Sequence, residues 1–214
     1  MTTSHDLHSA TKPTGIFLFR GWLGIWTLAP LTLLVLFSPL HFVHGSWPAY
    51  LTHCAGFGLI LAGVGWRSWA MLFVGGRKTR KLICNGPYAL SRHPLYFGTF
   101  LVGLGSGIFL QSLTWIAGFL CLFPIIYLPV IAEEERALSA THGMGWIRFK
   151  ESVPNPLFPR WARPSQSGPR LEIHLRAQWN QAKRSICTLA VIPILHGIQI
   201  LRSDSFLPSL WYLP

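Results

Sequence analysis

Charged side chains are scarce in this sequence, and acidic ones are scarcest. Only 12% of the 214 residues are Asp, Glu, Lys or Arg, against about 25% in an ordinary soluble domain. Seven acids stand against 18 Lys and Arg, for a formal net charge of +11. With half of the residues hydrophobic, this composition excludes a disordered chain and argues against a soluble domain. A basic balance can indicate a nucleic-acid partner, but it also fits the cytoplasmic loops of a membrane protein.

Cysteine is sparse as well, and no two cysteines form a CxxC pair. The four are scattered along the chain, at Cys54, Cys84, Cys121 and Cys187. We therefore predict neither a disulfide framework nor a zinc site. His41, His44 and His53 cluster with Cys54 in the sequence. We interpret that group as polar contacts at a membrane interface, and no metal site is predicted.

Long uncharged runs are the main positive feature. They cover residues 21–40, 50–66, 94–132 and 186–201. A membrane-spanning helix needs about 20 apolar residues, so the third run is long enough to cross twice, with a turn at Gln111-Ser112. The sequence therefore predicts an all-α, polytopic integral membrane protein with about five transmembrane helices. We expect the lipid bilayer as a partner and no nucleic acid.

The basic residues predict orientation and organisation. Fifteen of the 18 Lys and Arg lie in residues 67–93 and 133–185, which the positive-inside rule places in the cytoplasm. The predicted organisation is a polar tail (1–15), a membrane domain (16–160), a linker with an amphipathic helix (161–185), and a possible fifth crossing with a tail (186–214). Small residues at intervals of four predict close helix packing, at Cys54, Gly58 and Ala62 and at Gly103 and Gly107.

Two polar clusters flank the 94–132 hairpin. Pro94 predicts the start of a helix, whose free N–H groups could hold an anion beside Arg92 and His93. Three acids, Glu133 to Glu135, follow the second arm. Because a hairpin returns the chain to its starting side, we expect the acids near His93. From the residues alone, this arrangement fits both a ligand site and a solvated rim of ion pairs.

Several motifs point to one family. Residues 86–98, GPYALSRHPLYFG, resemble the G-P-Y-x-x-x-R-H-P-x-Y-x-G signature of isoprenylcysteine carboxyl methyltransferases and their bacterial relatives, including phospholipid and thiol methyltransferases. Residues 134–138, EERAL, resemble the E-E-x-x-L of that family, and residues 153–159, VPNPLFP, resemble its closing V-P-x-x-x-P. The resemblance covers about residues 80–160.

The resemblance implies a membrane methyltransferase with an S-adenosylmethionine pocket on the cytoplasmic side of a bacterial inner membrane. It implies a cofactor site formed by Tyr88, Arg92, His93, Pro94, Tyr96, Glu134 and Glu135, and it leaves the catalytic residue unknown. The methyl acceptor would be lipophilic or small, with a carboxylate, amine or thiol. The alternatives are an NADPH-dependent membrane reductase of related architecture and a non-catalytic membrane protein that retains the fold.

Departures from the family pattern put the acceptor in doubt. His142 stands where the family often has Phe, and Trp146 and Phe149 replace two tyrosines. Glu134 and Glu135 are adjacent on a helix, about 100° apart, so we expect one to face the cofactor and the other to pair with a cation. We prefer Glu134 as the inward acid.

Overall fold

The computed structural model describes residues 32, 33, 35, 46–74, 82–160 and 175–203. Within those ranges the regular structure is helical, with no strand. This confirms the all-α class. The helices are α1 (Trp47–Val74), α2 (Pro87–Leu90), α3 (Pro94–Phe109), α4 (Leu113–His142), α5 (Met144–Ser152), α6 (Leu175–Leu189) and α7 (Val191–Ser203). The predicted tail 1–15, most of the predicted crossing 21–40 and the linker 161–174 lie outside the described residues.

Two of the described helices, α1 and α4, are long and apolar enough to cross a membrane. Both carry large apolar side chains on their outer surfaces: Leu51 is 64% exposed and Ile125 is 68% exposed. In water such surfaces would be unfavourable, whereas lipid would cover them. α3 and residues 185–201 are apolar but shorter. A membrane protein is therefore supported, while the count of five crossings stays a prediction.

Glycines bring α1 and α3 together. A Cβ atom on Gly56 would lie 2.5 Å from the backbone nitrogen of Phe109, and one on Gly63 would lie 2.7 Å from the Gly98 carbonyl oxygen. Since position 56 meets 109 and position 63 meets 98, the two helices run antiparallel. Neither glycine can gain a side chain without separating the helices.

The predicted stripe of Cys54, Gly58 and Ala62 is wrong as the packing face of α1. All three residues are exposed, and a Cβ on Gly58 would meet nothing within 4 Å. The contact face contains positions 56 and 63 instead. By contrast, Gly103 and Gly107 do face the neighbouring helix α4, where Phe119 and Trp115 occupy the space that their side chains would need.

The hairpin between α3 and α4 turns where the sequence predicts. Gln111 adopts a φ of 52°, a left-handed conformation uncommon outside glycine. Ser112 then caps α4, because its hydroxyl accepts a hydrogen bond from the Trp115 backbone N–H at 3.2 Å. The indole N–H of Trp115 donates to the Gly103 carbonyl at 3.1 Å, which fixes α4 against α3.

α4 has 30 residues, which gives a length of about 45 Å. The apolar part of a bilayer is about 30 Å thick. The end of α4, which carries Glu133 to Glu135, therefore extends beyond the apolar part of the helix. The helix continues past these acids to His142, so they do not lie at its carboxyl end, where the helix dipole would disfavour negative charge.

The C-terminal helices break one turn later than predicted. α6 ends at Leu189 and α7 begins at Val191, whereas the sequence suggests a boundary at residue 185. Pro193 explains the shift: it has no N–H to donate to the Leu189 carbonyl, and it is tolerated in the first turn of a helix.

Residues 185–199 run antiparallel to α1 along most of its length between positions 53 and 68. The hydroxyl of Ser185 lies 3.0 Å from that of Ser68, and the Gln199 amide nitrogen lies 2.6 Å from His53 Nε2. The separations along the two helices, 53 to 68 and 185 to 199, are nearly equal. This geometry supports a fifth crossing, which stays a prediction. Between the helices lies a buried apolar core of Val35, Ile60, Phe109, Leu110, Trp115, Phe119, Phe123, Leu195 and Ile198.

Candidate functional site

The turn before α3 is shaped by glycine and proline. Gly86 has a φ of 61°, and the ring of Phe73 fills the space that a side chain would take. Pro87 and Pro94 each open a helix, where their missing N–H is not needed. Between them the chain is extended at Ser91 and reaches His93, the residue that caps α3. The glycine and the two prolines of the motif therefore constrain the backbone that leads to His93.

Residues 153–160, here called the strap, lie across this turn. The backbone N–H groups of Arg92 and His93 donate to the carbonyls of Asn155 and Pro156 at 3.4 and 2.9 Å. These two groups are therefore not free to bind an anion, because the strap docks on them from a distant part of the chain. The anion site predicted for the N–H groups of the helix that starts at Pro94 stays a prediction.

Side chains complete the attachment of the strap. The buried Ser91 hydroxyl lies 3.0 and 2.8 Å from the carbonyl oxygens of Pro156 and Leu157, to which it can donate. The guanidinium of Arg92 donates through Nη1 to the Val153 carbonyl at 3.1 Å. Arg92 is therefore held on one side by the strap and on the other by the start of α3.

The two predicted polar clusters meet at this end of the bundle. His93 Nδ1 lies 3.3 Å from Glu134 Oε2, and His93 Nε2 lies 3.5 Å from Glu135 Oε1. Arg92 Nε lies 2.9 Å from Glu135 Oε1, and Lys150 Nζ lies 3.3 Å from Glu135 Oε2. We call these five residues the ionic cluster. Each ring nitrogen of one imidazole thus faces a different carboxylate.

The surroundings shift the pKa values of groups at this end of the bundle, among them His93 and Tyr88. Burial alone would lower the pKa of His93, but its contacts with Glu134 and Glu135 and their negative charges outweigh burial and raise it. Burial raises the pKa of the Tyr88 hydroxyl, and the charges of Glu134 and Tyr96 add to the rise. His93 is therefore stabilised in its cationic form, and Tyr88 stays a neutral hydroxyl.

Three buried atoms of the ionic cluster have no hydrogen bond of good geometry with the rest of the chain. They are Nε of Arg92, Nε2 of His93 and Oε1 of Glu135. Their ion-pair distances are short, but the atoms are not aligned for hydrogen bonding. Since buried polar atoms in folded proteins are almost always hydrogen-bonded, this arrangement is suited to a polar ligand.

Aromatic rings connect the ionic cluster to the apolar interior. The Tyr96 ring stacks on His93 at 5.8 Å between centroids and meets Tyr127 at 5.2 Å. Tyr127 in turn stacks on Phe123 at 4.4 Å. The site therefore offers a charged wall and an aromatic wall side by side, which suits a molecule with both polar and apolar parts.

The residues predicted for the site are found together in large part. Arg92, His93, Glu134 and Glu135 make direct contacts, Tyr96 stacks on His93, and Pro94 begins α3. Glu135 pairs with Arg92 and Lys150, and which of the two acids faces a cofactor stays a prediction. However, both carboxylates reach His93, so one is not turned away from the site.

Sequence reasoning missed Lys150, Ser91 and Tyr127. Lys150 had a usable signal, since it is a cation shortly before the closing V-P motif. Trp146 and Phe149, which replace tyrosines of the family pattern, are buried and pack with Val153. Their rings anchor α5, which explains why apolar side chains suffice there.

A second polar group lies at the opposite, turn end of the hairpin. Gln199 Nε2 donates to the Phe109 carbonyl at 2.5 Å and lies 2.6 Å from His53 Nε2; Gln111 Nε2 lies 3.3 Å from the same ring atom. We call His53, Gln111 and Gln199 the amide cluster. Of the predicted interfacial histidines, His41 and His44 lie outside the described residues. Across the described ranges, no group of three or more His, Cys, Asp or Glu is arranged to hold a metal ion.

Comparison with known proteins agrees with the motifs. A family model described as isoprenylcysteine carboxyl methyltransferase (ICMT) family matches residues 56–140. The chain is 28% identical over 211 residues to the nickel-cobalt-cadmium resistance protein NccN of Alcaligenes xylosoxydans xylosoxydans, covering 96% of each chain. It is 36% identical over 143 residues to the cobalt-zinc-cadmium resistance protein CzcN of Cupriavidus metallidurans, covering 62% of this chain and 64% of that protein. No solved structure matches.

Proposed function

Residues 56–140 belong to the isoprenylcysteine carboxyl methyltransferase family, and from this we propose that the chain is a membrane methyltransferase that uses S-adenosylmethionine. The acceptor is a lipophilic or small molecule with a carboxylate, amine or thiol. The family supports methyl transfer in general, while the cofactor and the acceptor are our proposals.

One observation carries the proposal. The R-H-P-x-Y and E-E-x-x-L motifs are about 40 residues apart in sequence, yet His93 contacts both glutamates. A rim of unrelated ion pairs would not require a buried imidazole between two carboxylates. Motifs that converge on one group are expected when they bind the same ligand.

The residues present fit the chemistry of the cofactor. S-adenosylmethionine has a carboxylate, an ammonium group, ribose hydroxyls and a sulfonium. Glu134 and Glu135 suit the ammonium and hydroxyl groups, and Tyr96 and Tyr127 offer aromatic faces to a sulfonium. The unsatisfied buried atoms of His93 and Glu135 are further polar partners.

When bound, this cofactor supplies an electrophilic methyl group, so no covalent link to the protein is required. The chain must then hold the acceptor atom in line with that methyl group and keep it in a nucleophilic form. Tyr96 and Tyr127 would orient the bound pair. The buried position of His93 would exclude water from the reacting end.

We place the protein in the bacterial inner membrane, with the ionic cluster on the cytoplasmic side. The support is the concentration of Lys and Arg in the segments that carry Arg92 and Lys150. Topology reporters fused near residues 82 and 165 should be cytoplasmic, and one near residue 46 should be outside. A periplasmic signal at 165 would contradict this orientation.

The activity is tested with purified protein in lipid nanodiscs. Calorimetry should show binding of S-adenosylmethionine but not of NADPH; the reverse would favour a reductase. Cells expressing the protein should then be grown with isotopically labelled methionine and screened for new methylated products. Cofactor binding without any product would favour the non-catalytic alternative.

The relatives suggest a biological setting. The similarity to NccN extends over 96% of both chains, and that protein is named for resistance to nickel, cobalt and cadmium. We propose that methyl transfer by this chain contributes to metal resistance in its host. A strain lacking the gene should grow less well with these metals, and the wild-type gene should restore growth. Restoration by a His93→Ala variant would show that resistance does not need the site.

A further inference from the structure

Lys150 differs from the other cations of the ionic cluster in its access to solvent. Its side chain is 54% exposed, whereas that of Arg92 is 6% exposed and that of His93 is 4% exposed. A ligand arriving from the aqueous side would therefore meet Lys150 first. This position makes Lys150 a candidate for direct contact with an anionic group.

Arg92 is less suited to that contact. Its Nη1 donates to the Val153 carbonyl, and its Nε is paired with Glu135. Turning the guanidinium toward a ligand would release the strap and would leave a buried carboxylate with less compensation, which is costly. Arg92 therefore acts as a positioning residue.

Lys150 can move without disrupting the cluster. It contacts Oε2 of Glu135, while Arg92 and His93 both contact Oε1 of the same carboxylate. Glu135 therefore keeps two partners when Lys150 leaves. An ion pair with a half-exposed lysine contributes little free energy in water. Lys150 can therefore leave Glu135 and bind the carboxylate of a ligand at a small cost.

The balance of charge also favours an anion beside Lys150. Against the effect of burial, contacts with both glutamates raise the pKa of His93 and favour its charged form. With His93 charged, Arg92, His93 and Lys150 outnumber Glu134 and Glu135 by one, which favours a carboxylate over a further cation beside Lys150. α5 is anchored through buried Trp146 and Phe149, so the backbone at Lys150, in the last turn of the helix, is held in place while its ammonium group moves.

From these contacts we infer that Lys150 binds the carboxylate of S-adenosylmethionine and so determines which cofactor analogues the site accepts. The inference rests on the proposed function. It assigns a different cation from Arg92, beside which the sequence predicted an anion. Glu134 and Glu135 are left to the ammonium and hydroxyl groups.

The test compares two ligands and three variants in nanodiscs. The ligands are S-adenosylmethionine and its decarboxylated analogue, and the variants are Lys150→Gln, Lys150→Arg and Arg148→Gln. Arg148 is an exposed cation of the same helix, two positions and about 200° away from Lys150. The Lys150→Gln variant should bind S-adenosylmethionine about tenfold more weakly, as expected for a lost hydrogen bond between charged groups. Its affinity for the decarboxylated analogue should change less than about twofold.

Lys150→Arg should retain most of the affinity, and Arg148→Gln should match the wild type for both ligands. Equal losses for the two ligands would overturn the inference, because Lys150 would then act only through Glu135. An unchanged affinity in Lys150→Gln would overturn it as well. If the wild type binds neither ligand, the proposed function is wrong and the inference falls with it. Thermal unfolding of each variant shows whether any loss reflects misfolding.

Discussion

The two ends of the α3–α4 hairpin each hold a buried polar group, and the two groups differ in kind. The amide cluster at the turn end contains only an imidazole and two amides, and Gln199 is 2% exposed with its nitrogen directed at His53 and the Phe109 carbonyl. The ionic cluster at the other end contains charged groups, buried atoms without a hydrogen bond, and a half-exposed Lys150.

The difference separates a structural role from a binding role. Hydrogen-bonded amides with no access to solvent stabilise one arrangement of helices, here the contact of α7 with the hairpin. Charged groups that keep unsatisfied atoms and an exposed member can exchange partners with a ligand. We therefore expect changes at the turn end to alter stability alone, and changes at the ionic cluster to alter cofactor binding.

The largest effect should come from Arg92→Met. The change removes the cation beside Glu135 and leaves the Val153 carbonyl without its donor. Unfolding free energy should fall by about 3 kcal/mol, the lower end of the range for a broken buried pair, because Lys150 and His93 still compensate Glu135. Chemical denaturation in detergent measures it. The matched control is Arg136→Met: Arg136 is 79% exposed and pairs with Glu133, so its loss should be within about 0.5 kcal/mol. Equal losses for the two variants would show that the buried Arg92–Glu135 pair contributes no more to stability than the exposed Arg136–Glu133 pair.

Replacing one histidine at each end tests the comparison directly. His93→Ala should weaken binding of S-adenosylmethionine by about 1–3 kcal/mol, because it removes the buried imidazole that contacts both glutamates. His53→Ala should leave that affinity unchanged and lower the unfolding temperature. Calorimetry and thermal unfolding on the same samples measure both. If His53→Ala weakens binding as much as His93→Ala does, the two ends do not have separate roles.

A smaller loss is expected from Gln199→Leu. Leucine keeps the apolar volume but leaves the Phe109 carbonyl and His53 without the amide donor. Stability should fall by about 1–2 kcal/mol with cofactor affinity unchanged. Ile194→Ala serves as a control for volume on the same helix, since Ile194 is 61% exposed and contributes little to the protein interior. A Gln199→Leu variant as stable as the wild type would contradict the structural role of the amide cluster.

The smallest effect is a change in stability with pH. The pKa of folded His93 is raised above its usual value of 6.5. A raised value means that the folded state holds the proton more tightly than the unfolded state. The stabilisation is therefore complete below pH 6.5 and is lost as the pH rises through the folded pKa. The difference in unfolding free energy between wild type and His93→Gln should shrink over that range. A difference that grows with pH would mean that His93 is held neutral.

Local rules in the sequence accounted for much of the fold. Pro94 begins α3 and Gln111 forms the turn, because proline and chain reversal act through the backbone over a few residues. The meeting of His93 with Glu134 and Glu135 also follows from the sequence, since a hairpin must return to its starting side. These features need no knowledge of distant contacts.

Other features depend on contacts that the sequence does not encode locally. The stripes 54–58–62 and 56–63 are both apolar and small, and only the docking of α3 decides which of them faces inward. Likewise, the strap occupies the N–H groups of Arg92 and His93 from more than 60 residues away. Lys150 joins the cluster because α5 is anchored by Trp146 and Phe149, a tertiary effect.

The central claim is that the two motifs form one cofactor site, and a double-mutant cycle measures it. Affinities for S-adenosylmethionine should be determined by calorimetry for the wild type, His93→Ala, Glu134→Gln and the double variant, with Glu135→Gln alongside. We expect each single change to weaken binding, and the double change to cost less than the sum by about 0.5–3 kcal/mol, because the side chains act as a pair. Glu134→Gln should weaken binding more than Glu135→Gln, since Glu135 is committed to Arg92. Strictly additive losses, or no loss from either single change, would contradict a shared site.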